Sequence, residues 1–255
     1  MSILINIIQH YAYKRLFYRI STKSTKSDDP KINNIVEELK KTGICVLHNF
    51  IDKKVIKNIK NEINQSISNL EIINNSKIYN FENQGIKRYL NAEKFSVTAN
   101  KFFFNSFFNK IATHYVSKNV KAYQKMFEIK GAVGKFATTD IFHFDDWRKR
   151  FKIFLYLNNV DKNNCPFCFI PKSIKIDKKR ALKELEYIAL GKSGSYGYYL
   201  EHEMDNLKKR NNFKELLVTG DAGTVILVDT RGLHKGSPSI DGNKRELLAT
   251  YYDIR

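Results

Sequence analysis

The chain has 255 residues, of which 44 are Lys or Arg and 26 are Asp or Glu, so its formal net charge is +18. A chain of this length can bury a substantial core, as one large β-rich domain or two small ones. The basic residues are spread along the sequence without the Arg-rich stripe of a nucleic-acid footprint. This argues against a nucleic-acid partner. The net positive charge then reflects either an anionic small-molecule partner or a compositional bias toward Lys, Asn and Ile.

Cysteine usage bears on the compartment and on metal binding. Three cysteines, an odd number, argue against a secreted disulfide framework and favour a reducing, cytoplasmic location. Cys165 and Cys168 have CxxC spacing, but zinc needs two more ligands and Cys45 lies far upstream without a neighbouring ligand. The pair also lies between two extended runs rather than at the start of a helix, which disfavours a redox site. We therefore expect structural cysteines.

Residues 1–30 are predicted to be an N-terminal extension and linker, and residues 31–255 the folded domain. The apolar run at 1–8 is too short to span a bilayer and lacks the basic leader and cleavage site of a signal peptide. Aromatic and basic residues share the segment 11–19. This is typical of an amphipathic helix that makes peripheral membrane contact through residues 1–20, although packing against the protein body or a partner is the simpler interpretation.

The first half of the domain is predicted to alternate helices with short strands. Gly43 ends one helix, and Asp52 caps a longer one whose apolar residues recur at helical spacing. His114 has no neighbouring His or carboxylate, so we expect a packed or surface histidine rather than a ligand. The predicted elements are a helix at 33–41, a strand at 44–47, a helix at 53–70, an irregular polar segment at 71–97, an aromatic helix at 101–116 and a strand at 122–129.

The most informative stretch begins with His143 and Asp145, two metal-ligating side chains separated by one residue. On an extended segment this spacing turns both side chains toward the same face. The following run FKIFLYLNNV is rich in aromatic and β-branched residues and is predicted to be a buried strand. The pair alone is a weak signal, because a His and an Asp that hydrogen-bond in a turn would give the same pattern.

A second strand and loop near the end of the chain strengthen the signal. Residues 220–223 are predicted to form a turn and residues 224–228 a strand, and His234 follows in a loop broken by glycines. This second histidine would complete the 2-His-1-carboxylate set that holds non-haem Fe(II) and leaves other coordination positions open. Arg245 begins a further apolar strand, and its planar guanidinium suits a carboxylate in a dry pocket.

These motifs resemble those of the phytanoyl-CoA dioxygenase (PhyH-like) branch of the Fe(II)/2-oxoglutarate oxygenases. The resemblance covers about residues 33–255. It rests on HFDD, FKIFLYLNNVDKNNCPFCFIPKS, GDAGTVILVDTRGLHKGSP and the arginine that follows the second histidine. The chain departs from the usual family pattern at residues 165–166, where it has Cys-Pro, and at residues 171–174, where it has Pro-Lys-Ser-Ile. Both departures lie outside the candidate ligand set.

The resemblance implies a mainly β fold with flanking helices, a double-stranded β-helix (jelly-roll, cupin-like) barrel. It implies hydroxylation, or a related oxidation such as desaturation, of a C–H bond in a small substrate, with release of succinate and CO2. An aspartate at 145 favours this over halogenation, since related halogenases have a small residue there. The implied site residues are His143, Asp145 and His234 for Fe(II) and catalysis, and Arg245 for the distal carboxylate of 2-oxoglutarate. Apart from the resemblance, Ser237 and Lys130 are our further cofactor-binding candidates.

The basic balance of the chain leads us to expect an anionic substrate. Tyr196 belongs to the Gly- and Tyr-rich segment 191–200, for which an active-site lid and a surface excursion are equally good interpretations. Arg231 and Arg148 lie close in sequence to the ligands, but they could instead pair with neighbouring aspartates and never meet substrate. The candidate substrate-binding residues are Trp147, Arg148, Arg231 and Tyr196.

Two other functional classes compete with this interpretation. One is a non-catalytic jelly-roll binding protein that has kept the ligand set by descent. The other is a nucleic-acid demethylase, which is disfavoured because Tyr251 occupies the position after Arg245 where that family has a second arginine. The sequence does not specify the oligomeric state.

Overall fold

The computed structural model describes residues 9, 24–69, 78–131, 137–145, 149–175, 182–183 and 197–253. Within these ranges the helices are α1 (Pro30–Thr42), α2 (Lys53–Ile67), α3 (Val97–Phe103), α4 (Ser106–Tyr115) and α5 (Glu201–Asn211). The strands are β1 (Ile44–Leu47), β2 (Ile78–Phe81), β3 (Ile86–Leu90), β4 (Lys121–Lys130), β5 (Phe151–Tyr156), β6 (Phe167–Phe169), β7 (Leu216–Val218), β8 (Val225–Asp229), β9 (His234–Lys235) and β10 (Arg245–Asp253).

A large antiparallel sheet forms the centre of the protein, with the strand order β1-β8-β5-β10-β4-β3-β2. Every residue of β5 is buried because both faces of this strand are covered. Phe151, Ile153 and Leu155 pack with the helices, whereas Phe154 and Tyr156 face the second sheet. The two-residue period of a strand therefore places Lys152 on the face that looks toward the second sheet.

The second sheet has the order β7-β6-β9 and lies across an apolar cluster from the large sheet. Extended residues outside the named strands lengthen it. His143 forms an antiparallel bridge with His234, and the Tyr199 amide donates to the carbonyl of Phe142 at 2.9 Å. Two facing antiparallel sheets with helices packed outside one of them form the double-stranded β-helix architecture of jelly-roll proteins. The predicted fold class is confirmed.

Helix ends follow the sequence signals closely. The Asp52 carboxylate accepts a hydrogen bond from the Lys54 amide at 2.6 Å and caps α2, as predicted. Gly43 ends α1 with φ of 87°, a conformation that favours glycine. A Cβ atom at this position would also lie 2.5 Å from Cγ2 of Ile174, so the close packing of the following segment depends on the glycine.

Two expectations from the sequence need correction. Residues 78–90 form the hairpin of β2 and β3 at the edge of the large sheet, although they belong to a segment expected to be irregular. The aromatic stretch contains two helices, because Asn105 lies between α3 and α4 and caps α4 through the Phe107 amide. Within the predicted extension and linker, the Ser24 hydroxyl donates to the carbonyl of Tyr115 and the Thr25 amide to the carbonyl of His114.

Several predicted segments lie outside the described residues. These are residues 1–8 and 10–23 of the predicted extension, and residues 191–196 of the Gly- and Tyr-rich segment. The division into an extension at 1–30 and a domain at 31–255 stays a prediction. Among the helices that the structure does describe, none combines the length and the apolar character needed to cross a membrane.

Candidate active site

Backbone pairing brings the two candidate histidines together. The amide of His143 donates to the carbonyl of His234, and the amide of His234 donates back, both at 2.9 Å. Asp145 is fixed two residues later, where its amide donates to the carbonyl of Thr230 at 2.9 Å. The centroids of the two imidazole rings are 4.3 Å apart. The extended spacing at 143–145 and the bridge to residue 234 therefore direct all three side chains to one point.

The three side chains form a buried cluster that could hold a metal ion. Nε2 of His143 lies 3.9 Å from Oδ1 of Asp145, and Nε2 of His234 lies 3.7 Å from the same oxygen. Nδ1 of His143 bonds to the Ile141 carbonyl at 2.8 Å, and Nδ1 of His234 to the Gly232 carbonyl at 2.9 Å. Because a carbonyl only accepts, each Nδ1 carries the proton and each Nε2 presents its lone pair to the cluster.

The electrostatics of the cluster suit metal binding at neutral pH. Burial lowers the pKa of His143, and burial together with the neighbouring His143 lowers the pKa of His234 to about 3, so both imidazoles are neutral. Burial alone would raise the pKa of Asp145. The Lys152 ammonium outweighs this effect and holds the pKa of Asp145 well below its usual range, so the carboxylate is ionised. Two neutral imidazoles and one carboxylate are the donors of a non-haem iron site.

Lys152 is a member of the site that sequence reasoning did not identify. It extends from β5 and forms an ion pair with Oδ2 of Asp145, and its Nζ lies 4.1 Å from the centroid of the Tyr251 ring. The signal was present, because a lysine inside the apolar run FKIFLY needs a buried anionic partner. Nothing in the sequence identified Asp145 as that partner.

A cavity of about 260 Å³ opens beside the cluster, a volume suited to small molecules. Phe167 and Tyr198 are among its walls, and their ring centroids lie 5.7 Å from that of His234 and 5.5 Å from that of His143, respectively. The charged lining residues are Arg88, Lys130, Lys152, Lys235, Arg245, Glu128 and Asp145.

Arg245 begins β10 and lies in the cavity wall with 5% of its surface exposed. One terminal nitrogen donates to the carbonyl of Cys165 and the other to Oε1 of Glu128, each at 2.7 Å. The Nε–H group is buried and has no hydrogen-bond partner among the described residues. Glu128, which sequence reasoning missed, also accepts from Nε of Arg88 at 2.6 Å. Arg245 is thus rigidly held and keeps donors that a carboxylate ligand could use.

The other cofactor-binding candidates have different surroundings. Lys130 lines the cavity and forms a buried ion pair with Asp140, which also accepts from the Ala137 amide at 2.9 Å. Gly236 lies against this pair, since a Cβ atom there would be 2.6 Å from both the Asp140 carboxylate and the Lys130 ammonium. Ser237 is half-buried and is not one of the residues that line the cavity.

The structure separates one substrate-binding candidate from the cavity. Arg231 makes a forked contact with the buried Asp229, through Nε at 2.9 Å and a terminal nitrogen at 2.6 Å, and Asp229 also accepts from the Tyr115 hydroxyl at 2.6 Å. It is not among the cavity-lining residues. This geometry agrees with the alternative in which Arg231 is tied to an aspartate and does not contact substrate. Trp147, Arg148 and Tyr196 lie outside the described residues.

The described end of the Gly- and Tyr-rich segment does reach the cavity. The amide of Gly197 bonds to the carbonyl of Phe144 at 3.3 Å, so the chain runs beside the ligand-bearing segment and places Tyr198 in the wall. Cys165 and Cys168 are buried free thiols, and the metal-ligand cluster found in the described part of the chain includes neither.

An antiparallel two-sheet fold with a buried His–Asp–His cluster is typical of non-haem iron oxygenases. A family model described as phytanoyl-CoA dioxygenase (PhyH) matches residues 39–245, and the chain belongs to this family. As a member of this family it is a non-haem iron and 2-oxoglutarate-dependent enzyme, as the sequence predicted. A sequence search among curated proteins found no match.

Several solved structures share this fold. EctD from S. alaskensis, crystallised with 2-oxoglutarate and 5-hydroxyectoine, has a TM-score of 0.66 and 14% identity, over 92% of this chain and 80% of that chain. The epimerase SnoN, in complex with Fe3+, alpha ketoglutarate and nogalamycin RO, has a TM-score of 0.63 and 13% identity, over 88% and 84%. AviO1 from Streptomyces viridochromogenes Tue57 has a TM-score of 0.57 and 13% identity, over 89% and 96%. At these identities the likeness concerns the fold.

Proposed function

We propose that the enzyme hydroxylates, or otherwise oxidises, a C–H bond of a small anionic molecule, using Fe(II) held by His143, Asp145 and His234. The observation that carries this proposal is the cluster itself. Its three donor atoms lie within 4.8 Å of one another, and both imidazoles are fixed in the tautomer that presents Nε2. The fit to iron rests on this donor set, because two imidazoles and one carboxylate leave further positions for an organic acid and dioxygen.

We also propose that Arg245 binds the distal carboxylate of 2-oxoglutarate. The buried Nε–H group without a partner supports the fit, since a carboxylate that accepts from it would satisfy an otherwise orphaned donor. Glu128 and the Cys165 carbonyl hold the guanidinium in place from two other directions. Ser237 and Lys130 remain weaker candidates, because Ser237 is absent from the cavity wall and Lys130 is already paired with Asp140.

When bound, iron and 2-oxoglutarate together supply dioxygen activation, with release of succinate and CO2. The residues of this chain bind and orient the reactants and exclude water. Phe154, Phe167 and Leu247 give the cavity apolar walls near the cluster, so a substrate C–H bond can lie there without competing solvent. Tyr198 lies on the side of His143 and contributes to the same enclosure.

The anionic character of the substrate is inferred from the charge balance of the cavity. Five cations line it, and their carboxylate partners are Glu128, Asp145, Asp140 beside Lys130 and, 4.0 Å from the Lys235 ammonium, Glu215. The charges of Fe(II) and of the 2-oxoglutarate dianion cancel, so a positive excess remains for the substrate. Arg88 and Lys235 line the cavity and Arg231 does not, so we assign these two cations to substrate binding in place of Arg231. We also propose a cytoplasmic location, supported by three cysteines that are all free thiols.

Turnover of 2-oxoglutarate across a substrate panel tests the proposal. Succinate release should rise above the uncoupled background with a phosphorylated, nucleotide-linked or CoA-linked compound and stay at background with a neutral analogue of the same skeleton. Activity with the neutral analogue alone would contradict the anionic class. A protein that binds neither iron nor 2-oxoglutarate would favour the non-catalytic alternative, and turnover on methylated nucleic acid would favour the demethylase.

A further inference from the structure

Lys152 occupies a position in which a lysine is unusual. It lies in the middle of the large sheet, opposite Tyr251 on β10 and Val228 on β8, and only 7% of its surface is exposed. Its neighbours Phe151 and Ile153 pack against the helices, so its side chain projects to the cavity face. Burying an ammonium group is costly unless it meets a counter-ion, and the carboxylate of Asp145 supplies one.

The two oxygens of Asp145 have different surroundings. Oδ1 lies 3.9 Å and 3.7 Å from the Nε2 atoms of the two histidines, so it is the oxygen that faces the candidate metal position. Oδ2 is paired with the Lys152 ammonium, and in the described part of the chain no other donor forms a hydrogen bond with it. The lysine therefore fixes which oxygen of the carboxylate is presented to the histidines.

We propose that Lys152 is a positioning residue that holds Oδ2 of Asp145, so that Asp145 binds iron through Oδ1 alone and the position beside it stays open for 2-oxoglutarate. This inference rests on the proposed function, in which His143, Asp145 and His234 are the iron ligands. Without the lysine, the carboxylate is free to rotate and to use both oxygens. The second oxygen would then occupy a position that the chelating acid needs.

Lys152 also serves as the counter-ion of Asp145 before the metal arrives. A buried carboxylate with no cation is strongly destabilising, so the metal-free protein depends on the lysine. Once a divalent cation is bound, the carboxylate has a second and stronger partner. The lysine should therefore matter much more to the stability of the metal-free protein than to that of the loaded one.

Thermal unfolding of the metal-free protein tests the counter-ion role. Lys152→Met keeps the length of the side chain and removes its charge, and we expect Tm to fall by about 5–10 °C. Lys125→Met is the matched control, because Lys125 is also a partly buried lysine on a strand and its Nζ lies 3.6 Å from Oε1 of Glu93, but it does not line the cavity. The Tm of this variant should change by less than about 2 °C. In an Asp145→Asn background, the effect of Lys152→Met should largely disappear, since the charge that the lysine neutralises is gone.

Ligand binding without turnover tests the positioning role. Co(II) is added to each variant, and 2-oxoglutarate affinity is then measured by calorimetry and by the change in the Co(II) visible spectrum. Lys152→Met should bind Co(II) at least as tightly as the parent, because a neighbouring positive charge has been removed. It should bind 2-oxoglutarate about tenfold or more weakly, and Lys152→Arg, which keeps a cation at Oδ2, should recover most of that affinity.

The outcomes separate this inference from the proposed function. If the parent binds no Co(II), the iron-site assignment fails, while the metal-free stability measurements still test the ion pair. If Lys152→Met leaves both the metal-free Tm and the 2-oxoglutarate affinity unchanged, the role assigned to Lys152 is wrong. It is equally wrong if Co(II) binding weakens and 2-oxoglutarate binding to the loaded protein does not. If Lys152→Met does not fold, the Asp145→Asn/Lys152→Met protein should fold, because the unpaired carboxylate is gone. If the double variant also fails to fold, the ion pair is not the reason and the role assigned to Lys152 is wrong.

Discussion

Replacing Arg245 with lysine keeps a positive charge in the cavity wall and removes the planar fork. The guanidinium donates to the Cys165 carbonyl and to Glu128 through different nitrogens, and it still has the buried Nε–H group. A lysine ammonium is a single point and cannot span these directions. One charge-assisted hydrogen bond to the 2-oxoglutarate carboxylate should be lost. This corresponds to about 1.5–3 kcal/mol, or roughly ten- to a hundredfold in affinity.

Calorimetric titration of 2-oxoglutarate into metal-loaded protein measures this loss directly. Metal affinity should be unchanged, since Arg245 is not a ligand. Arg231→Lys is the matched control, because Arg231 makes an equally forked contact with Asp229 but does not line the cavity. That variant should lose thermal stability and keep its 2-oxoglutarate affinity. If Arg245→Lys binds 2-oxoglutarate like the parent, the distal carboxylate lies elsewhere and the assignment of Arg245 is refuted.

Three further predictions concern stability and charge. Burial would raise the pKa of Glu128, but Arg88 and Arg245 lower this pKa to about 2. The ionised carboxylate therefore stabilises the fold fully above the usual pKa of a glutamate, and this stabilisation is lost as the pH falls toward 2. Acid titration of Glu128→Gln should lack that loss, about 3 kcal/mol in unfolding free energy. Gly43→Ala should lower Tm by several degrees, because a Cβ would meet Ile174 at 2.5 Å where φ is 87°; an unchanged Tm would contradict this packing. For a true anionic substrate, kcat/KM should fall as salt is raised from about 0.05 to 0.5 M, and Lys235→Met should raise KM; a flat salt response would mean that the charge is compositional.

The sequence predicted the parts of the site that depend on local geometry. His143 and Asp145 share a face because a strand has a period of two, and His234 follows a buried strand as the pattern indicated. What local reasoning could not supply is the pairing between distant strands. The backbone bridge between residues 143 and 234 is a contact between segments far apart in the sequence, and neither the motif spacing nor the family resemblance specified it.

The same limit explains the residues that were missed. Lys152 and Glu128 are charged residues on buried strands, and each is kept in place by a partner from another strand, Asp145 and Arg245. Arg231 illustrates the same limit, since its closeness in sequence to His234 suggested a substrate contact and left pairing with an aspartate as the alternative. Its side chain forms an ion pair with Asp229, and Arg231 does not line the cavity. The hairpin of β2 and β3 was missed because its polar residues lie on a half-exposed edge and show no apolar alternation.

Anaerobic titration of the metal-free protein with Fe(II), followed by 2-oxoglutarate, tests the central claim most directly. We predict one Fe(II) per chain and, on addition of 2-oxoglutarate, a visible charge-transfer band that reports chelation at the iron. His234→Ala should remove the band and most of the Fe(II) affinity, while His114→Ala, a histidine that bonds to Thr25 outside the cavity, should behave like the parent. Undiminished Fe(II) binding and an unchanged band in His234→Ala would contradict the assignment of His143, Asp145 and His234 as the iron site.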